Sequence, residues 1–301
     1  MATNRRVAKR RYKLTFFRIL RSEWIKLFSL RSTWWIVSTG VVLNVGICAA
    51  LAAAMMWSER QILANPTLYH IPGLEPGVLH PGDLGMLSNI VAQGCGFVGQ
   101  LIFVILSILV ITNEYSSGMI RSTFTTAPRR GKVLFAKMVV VCVVCVLVFG
   151  VSMAGGWSTS FVILQNSTGM DLTLTSMTSI RILGGFVVEM MLIALLSFGL
   201  GAIIRSTPGS IGAAFGILLV LPLVIAAITG AFSTTASDPT GWRKWLVDGA
   251  AFLPTNAGDV VTQVTFSESA ILGPWEGLAV LGGWVLVAII LAFITTVRRD
   301  V

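Results

Sequence analysis

The sequence predicts an all-α polytopic membrane protein with six transmembrane helices behind an N-terminal amphipathic interfacial helix, and three observations carry that prediction. Six apolar runs, 34–56, 89–111, 138–160, 184–204, 209–230 and 277–297, are each long enough to cross a hydrocarbon core of roughly 30 Å. Hydrophobic residues make up 55% of the 301-residue chain and charged residues only 12%, where soluble domains carry about 25% charged. With the amino terminus inside, the inner segments hold 18 of the 22 Lys and Arg but three carboxylates, against four basic and nine acidic residues outside. That is the positive-inside pattern, and it places both termini in the cytoplasm.

Taken in order, residues 1–33 form a basic arm and a helix. Arg5, Arg6, Lys9, Arg10, Arg11 and Lys13 make the arm. Over 14–31, Phe17, Leu20, Trp24, Leu27 and Phe28 recur at three- and four-residue steps, with Arg18, Arg21, Ser22, Lys26 and Ser29 opposite. This periodicity describes a helix lying on the inner membrane surface. It serves either as an anchor or as a lever joined to the first span at Arg31–Trp35. Ala50-Leu51-Ala52 looks like a signal-peptidase site, but more than 30 residues precede the apolar run and it continues to Met56, so a retained span is expected. Trp34, Trp35, Trp57, Trp157 and Trp275 sit at span ends, where indole rings favour the headgroup level. The fourth and fifth spans are joined by a tight hairpin, Arg205–Gly209. The outer loop 232–276 contains Asp238-Pro239, a cap followed by proline at the first helical position. Trp242, Trp245 and Leu246 would then share one face of a short interfacial or re-entrant helix. No segment is long and polar enough to be a separate soluble domain, so residues 1–301 read as one membrane domain. No internal repeat of the kind that builds many secondary transporters is visible.

The same residues exclude several chemistries. The net charge of +9 sits beside apolar runs, where it fixes topology and meets anionic lipid rather than nucleic acid. Cys142 and Cys145 form a C-x-x-C, but inside an apolar span with no second ligand pair they are expected to be small buried residues, not a metal or redox site. His70 and His80 lie in a Pro/Gly-rich outer loop and are expected to be solvated. Gly131-Lys132 has Thr126 where a phosphate-binding loop needs glycine. The chain is thus expected to bind no metal, cofactor or ATP by itself.

The inner loop 112–137 is polar, basic and too long for a simple turn. It contains Glu114-Tyr115-Ser116-Ser117-Gly118-Met119-Ile120-Arg121-Ser122-Thr123, then Pro128-Arg129-Arg130. This resembles the Glu-x-x-x-Gly-x-Ile-Arg … Pro-Arg-Arg segment of type-2 ABC transporter permeases. Leu20–Leu27 with Leu30–Trp35, Leu253-Pro254-Thr255-Asn256-Ala257-Gly258 and Val297-Arg298-Arg299-Asp300 are similar to segments of bacterial members, in the same order. The resemblance covers nearly the whole chain and implies a dimer, with a second copy or a paralogue, seated on cytoplasmic ATPase subunits that hold ATP and Mg in a bacterial cell membrane. It gives Glu114, Tyr115, Gly118, Arg121, Thr123, Pro128, Arg129 and Arg130 to the loop that docks on the ATPase. Arg21, Glu23, Trp24, Lys26 and Arg31 fall on the connecting helix. Gly118 can break the backbone after the second span, and Pro128 can end a polar helix before the third. The arginines offer planar contacts to a partner's carboxylates, and Glu114 can pair with one of them or cap the short helix. Basic residues of an inner loop also satisfy the positive-inside rule without binding anything.

Two features remain inside the spans. Glu189 lies in the fourth run, where a carboxylate costs roughly 2.5–3.5 kcal/mol at the bilayer centre. It either lines a transport path or pairs with a hydroxyl, an indole N–H or Arg181, two turns earlier. Gln93, Phe97, Gln100, Gly212, Gly216 and Pro222 are the candidate substrate path, since the resemblance implies that the second and fifth spans line it. Packing by small residues explains the glycines equally well, and Pro222 is expected to kink its helix. The function expected is the permease subunit of an ATP-driven exporter of an amphipathic drug, peptide or lipid. The alternatives are a non-transporting scaffold or anchor of a cell-envelope complex, and a membrane enzyme or ion-driven carrier.

Overall fold

In the computed structural model, every described element is helical. The structure describes residues 15–64, 84–116, 118, 130–168, 177–231, 241–263 and 271–298. We label the helices α1 (Phe16–Ser29), α2 (Arg31–Ala64), α3 (Leu84–Ser116), α4 (Arg130–Thr168), α5 (Met177–Ile204), α6 (Thr207–Phe215), α7 (Leu221–Ala231), α8 (Trp242–Ala250), α9 (Pro254–Asp259) and α10 (Pro274–Arg298). Six helical stretches among them are long and apolar enough to cross a membrane: α2, α3, α4, α5, the continuous α6–α7 unit and α10. The chain is a multi-pass membrane protein.

The helices run past the apolar runs at several ends. α4 begins at Arg130, eight residues before the apolar run at 138, so Lys137 stands on its first turns. α1 has its N-cap at Thr15 and ends where Leu30 turns extended. Its buried residues are Glu23 and Leu27, while Phe17, on the apolar face expected to meet the membrane surface, is 78% exposed to the surroundings of the protein. The Trp24 and Phe28 rings meet at a tilt with centroids 4.7 Å apart, and Phe28 meets Trp34 at 5.6 Å. The Trp34 indole N–H donates to the Phe28 carbonyl, closing the α1–α2 corner.

α3, α4 and α5 form the core. Phe103 of α3 stacks on Phe149 of α4 at 4.3 Å, and Phe149 meets Phe186 of α5 edge-on at 5.6 Å. α2 leans on α3 and α4, and α10 leans on α5. The fifth span is the most peripheral: along α6–α7, Val220, Leu221, Leu223, Val224 and Ile228 are exposed. Apolar side chains standing outward in such numbers suit contact with lipid or with another protein chain. Pro222 lies on the second residue of α7, and the expected disruption takes the form of a π turn, Gly216–Val220, between α6 and α7. A proline has no N–H to give, and one widened turn is a way for the backbone to absorb that loss.

The segment before the last span folds into two short helices. α8 starts after Gly241, which sits at φ 66°, whereas Asp238 and Pro239 lie outside the described residues. Trp242 and Trp245 of α8 are exposed and Leu246 is half-buried. α9 opens on Pro254 and continues into a 3-10 turn, Val260–Thr262. It is tucked between α5 and α10 by close backbone approaches. A Cβ on Gly277 would stand 2.1 Å from the Ala257 carbonyl oxygen, and one on Gly185 would meet the Val261 side chain at 2.3 Å.

Candidate functional site

The N-terminal helix, the end of the second span and the start of the third meet at one end of the bundle. Each supplies charge there. The Lys137 ammonium of α4 donates to Glu23 Oε2 of α1, and to Glu114 Oε1 of α3 at 2.8 Å. The Lys26 ammonium of α1 donates to Glu23 Oε1 at 2.8 Å and to the same Glu114 oxygen at 3.0 Å. Two ammonium groups and two carboxylates thus close a neutral ring across three helices.

Burial makes the ring consequential. Lys137 is 3% exposed, Glu23 5% and Glu114 7%. Ions so placed have lost their water and are tolerated only because each has an opposite charge in contact. Lys26 closes the ring on its open side, with its side chain 37% exposed. Burial works against the Lys26 charge, but the Glu23 and Glu114 carboxylates outweigh it and hold the ammonium pKa above its ordinary value. Glu114 Oε2 is buried and accepts no hydrogen bond among the described residues. A pocket of about 480 Å³ opens beside the ring, lined by Leu27, Leu30, Leu109, Val110 and Asn113 as well as by the charged groups.

The ring sits where α3 leaves the bundle. Gly118, two residues beyond α3, holds φ +68°, and its N–H donates to the Tyr115 carbonyl at 3.3 Å. That left-handed conformation suits glycine and ends the helix. The hairpin between the fourth and fifth spans joins the same end. Arg205, itself at φ 61°, lies over the Tyr115 ring at 5.2 Å and donates to the Thr295 carbonyl of α10 at 2.8 Å. Thr207 donates to the Thr112 hydroxyl at 2.8 Å.

Of the residues expected on the connecting helix, Glu23 and Lys26 are in the ring, Trp24 is half-buried, and Arg21 and Arg31 are exposed. Of those expected on the docking loop, Glu114 is in the ring, while Tyr115 and Gly118 flank it. Arg121, Thr123, Pro128, Arg129 and the Arg130 side chain lie outside the described residues. Glu114 was expected to pair with one of those arginines or to cap a helix; among the described residues its partners are the two lysines. Lys137 is the member that reading the sequence missed. A lysine one position before an apolar run looks like an ordinary boundary residue, and only the convergence of three helix ends reveals its role.

At the opposite end of the bundle, the candidate path residues separate. Gln93 and Phe97 side chains lie outside the described residues. Gln100 is buried and donates to the Thr255 hydroxyl of α9 at 3.3 Å, which donates in turn to the Leu218 carbonyl at 2.7 Å. Gln100 and Pro222 share a pocket of about 590 Å³ with Leu218, Asn256 and Asp259. A Cβ on Gly212 or Gly216 would meet nothing within 4 Å. Glu189 is fully buried, and neither of its oxygens accepts from a hydroxyl, an indole or Arg181 among the described residues. Arg181 instead donates to the Gln263 carbonyl at 2.8 Å.

A family model described as ABC-2 family transporter protein matches residues 19–301, from within α1 to the carboxyl terminus. The chain belongs to the ABC-2 transporter family. Comparison with curated proteins finds no match. ABC-2 permeases are the membrane subunits of transporters and work with ATPase subunits. The match covers every spanning helix as well as the Glu114–Arg130 segment that the resemblance had singled out.

Proposed function

We propose that this ABC-2 permease is the membrane-spanning subunit of an exporter in a bacterial cytoplasmic membrane, with its basic end facing the cytoplasm. Separate ATPase subunits, carrying ATP and Mg, dock on the loop between the second and third spans, and the permease works as a dimer with a second copy or a paralogue. The observation that carries the reading is the ring of Glu23, Lys26, Glu114 and Lys137. It joins α1 to both helices from which the 117–129 loop departs, so a push on the loop is delivered to three helices as one unit. Buried charges in contact resist sliding past one another, which is the property a transmission joint needs. The basic residues concentrated at this end support a cytoplasmic orientation through the positive-inside rule. The pocket between Gln100, Leu218 and Pro222 is apolar with a few amides, which suits an amphipathic drug, peptide or lipid.

Gentle-detergent affinity purification of the chain from its host, followed by mass spectrometry, tests this. A co-purifying ATPase with a phosphate-binding loop, lost when Arg129 and Arg130 are both changed to Glu, supports the proposal. A chain that emerges alone or with cell-envelope proteins, while a control ABC complex survives the same detergent, refutes it in favour of a scaffold.

A further inference from the structure

The cavity of about 590 Å³ beside α9 has an apolar wall and a polar wall. Phe186 and Met190 of α5, with Leu219 and Leu223 of the fifth span, supply the first. Gln100 of α3 supplies the second, together with Thr255, Asn256, Asp259 and Thr262. Asp259, the last residue of α9, is the only ionisable residue among the described residues that line the cavity, and it is exposed.

The polar wall has spent donors on the protein itself. The Gln100 amide donates to the Thr255 hydroxyl at 3.3 Å, and that hydroxyl donates to the Leu218 carbonyl at 2.7 Å. The Asn256 amide donates to the Ala250 carbonyl at 2.9 Å, and the Thr262 hydroxyl to the Asp259 backbone carbonyl at 2.8 Å. Both hydroxyl protons and one N–H of each amide are thus committed. The acceptors are not: no donor among the described residues reaches Gln100 Oε1, Asn256 Oδ1 or the Asp259 carboxylate. An ionised carboxylate and an amide oxygen only accept, so the wall fits a ligand that donates.

The surrounding charges point the same way. No basic residue lines the cavity among the described residues, and Arg181 turns instead to the Gln263 carbonyl. Behind α9 stands a second acid without a donor. Glu189 is fully buried, and a Cβ on Gly258 would stand 2.9 Å from its Oε1. A charge in a cavity with an apolar wall is screened less than one on an open surface.

We propose that this cavity binds amphipathic cations, with an ammonium group on Asp259 and the amide oxygens of Gln100 and Asn256, and an apolar body against Phe186, Met190 and Leu219. The cavity has the size of sites for drug-like molecules, about 300–1,000 Å³. The inference rests on the reading of this cavity as the substrate pocket, and it narrows the substrate to a lipophilic amine. Asp259 is then the residue that selects a cation over an uncharged analogue of the same shape.

The test is equilibrium binding of radiolabelled dodecylammonium and of its uncharged isostere dodecanol to the full chain in phosphatidylcholine nanodiscs, with empty nanodiscs subtracted. Dodecylammonium should saturate one site and bind more tightly than dodecanol. Asp259→Asn should weaken the amine at least about tenfold and leave the alcohol unchanged, since a hydrogen bond to a charged group is lost. Asp259→Glu should retain tight binding of the amine, and Leu219→Trp, which fills the cavity, should reduce binding of both probes. Amine and alcohol binding equally, both lost in Leu219→Trp, would leave the pocket standing and overturn its cation selectivity. Amine binding that is indifferent to Asp259→Asn, or no saturable amine binding at all, also overturns the proposal. None of these outcomes involves the ATPase, so the exporter reading stands or falls separately on co-purification.

Discussion

Lys137→Met removes one ammonium from the ring and keeps most of the apolar stem. In the wild type that ammonium donates to both Glu23 and Glu114 and is 3% exposed. The variant leaves two carboxylates, 5% and 7% exposed, sharing the half-open Lys26 alone. A hydrogen bond to a charged group contributes about 1.5–3 kcal/mol, and deleting one member of a buried ion pair costs about 3–5 kcal/mol because the other charge stays buried. Lys26 recovers little of this, since contacts of an exposed ammonium are screened. The expected loss is about 3–5 kcal/mol. Lys132→Ala is the control: its side chain is equally positive and five residues away, but exposed, and the expected change is within about 0.5 kcal/mol. Reversible unfolding in mixed micelles measures both. Adding Glu114→Gln to Lys137→Met should cost at least about 1 kcal/mol less than the sum of the single changes, because the removed groups are each other's partners. A loss below about 1 kcal/mol for Lys137→Met, or strict additivity in the cycle, refutes the idea that the ring is a coupled unit.

Three further changes test the joints around it. Gly118→Ala places a Cβ at φ +68° and should cost about 1–2 kcal/mol, measured by the same unfolding assay; equal stability would mean that the turn relaxes freely. Gly277→Ala puts a methyl group against the Ala257 carbonyl and should cost about 1–3 kcal/mol while exposing the α9 amides to exchange. Gly212→Ala with Gly216→Ala meets no atom of the protomer and should leave its stability unchanged or raise it by up to about 1 kcal/mol per site. If this face is covered by a second subunit, the same pair should weaken the dimer on size-exclusion with light scattering, and an unaltered dimer would place the interface elsewhere.

The spanning architecture was legible because it depends on local quantities: run length, hydropathy and the placement of lysines and arginines. The ring was only half legible. Glu23, Lys26 and Glu114 came to attention through the family resemblance, but nothing along the chain links Glu114 to Lys137, and the link exists because α3 and α4 end side by side. The same limit explains Glu23. Periodicity sorts residues by type and had no place for a buried glutamate, yet α1 turns Glu23 inward because Lys137 is there to receive it. Glu189 was visible as a carboxylate in an apolar run, and its candidate partners were sought among donors. Its carboxyl lies instead against the α9 backbone at Gly258, which the fold brings back between the spans.

Why a joint of this kind is built from charge rather than from leucine can be decided by experiment. Buried ion clusters are seldom the most stable solution: replacing one by well-packed apolar residues of similar volume is often neutral or stabilising by about 1–4 kcal/mol. If the ring served only to hold α1 against α3 and α4, the combined variant Glu23→Leu, Lys26→Met, Glu114→Leu, Lys137→Met should both fold and function. Ionic contacts differ from apolar ones in that a small displacement breaks a specific pairing, so they fix one register between helices where an apolar seam allows several. The expected outcome is therefore a split. The apolar variant should match or exceed wild-type stability in mixed micelles, far above Lys137→Met alone, while ATP-dependent transport by the assembled complex falls. Full transport by the apolar variant would assign the ring to stability alone and remove its place in transmission.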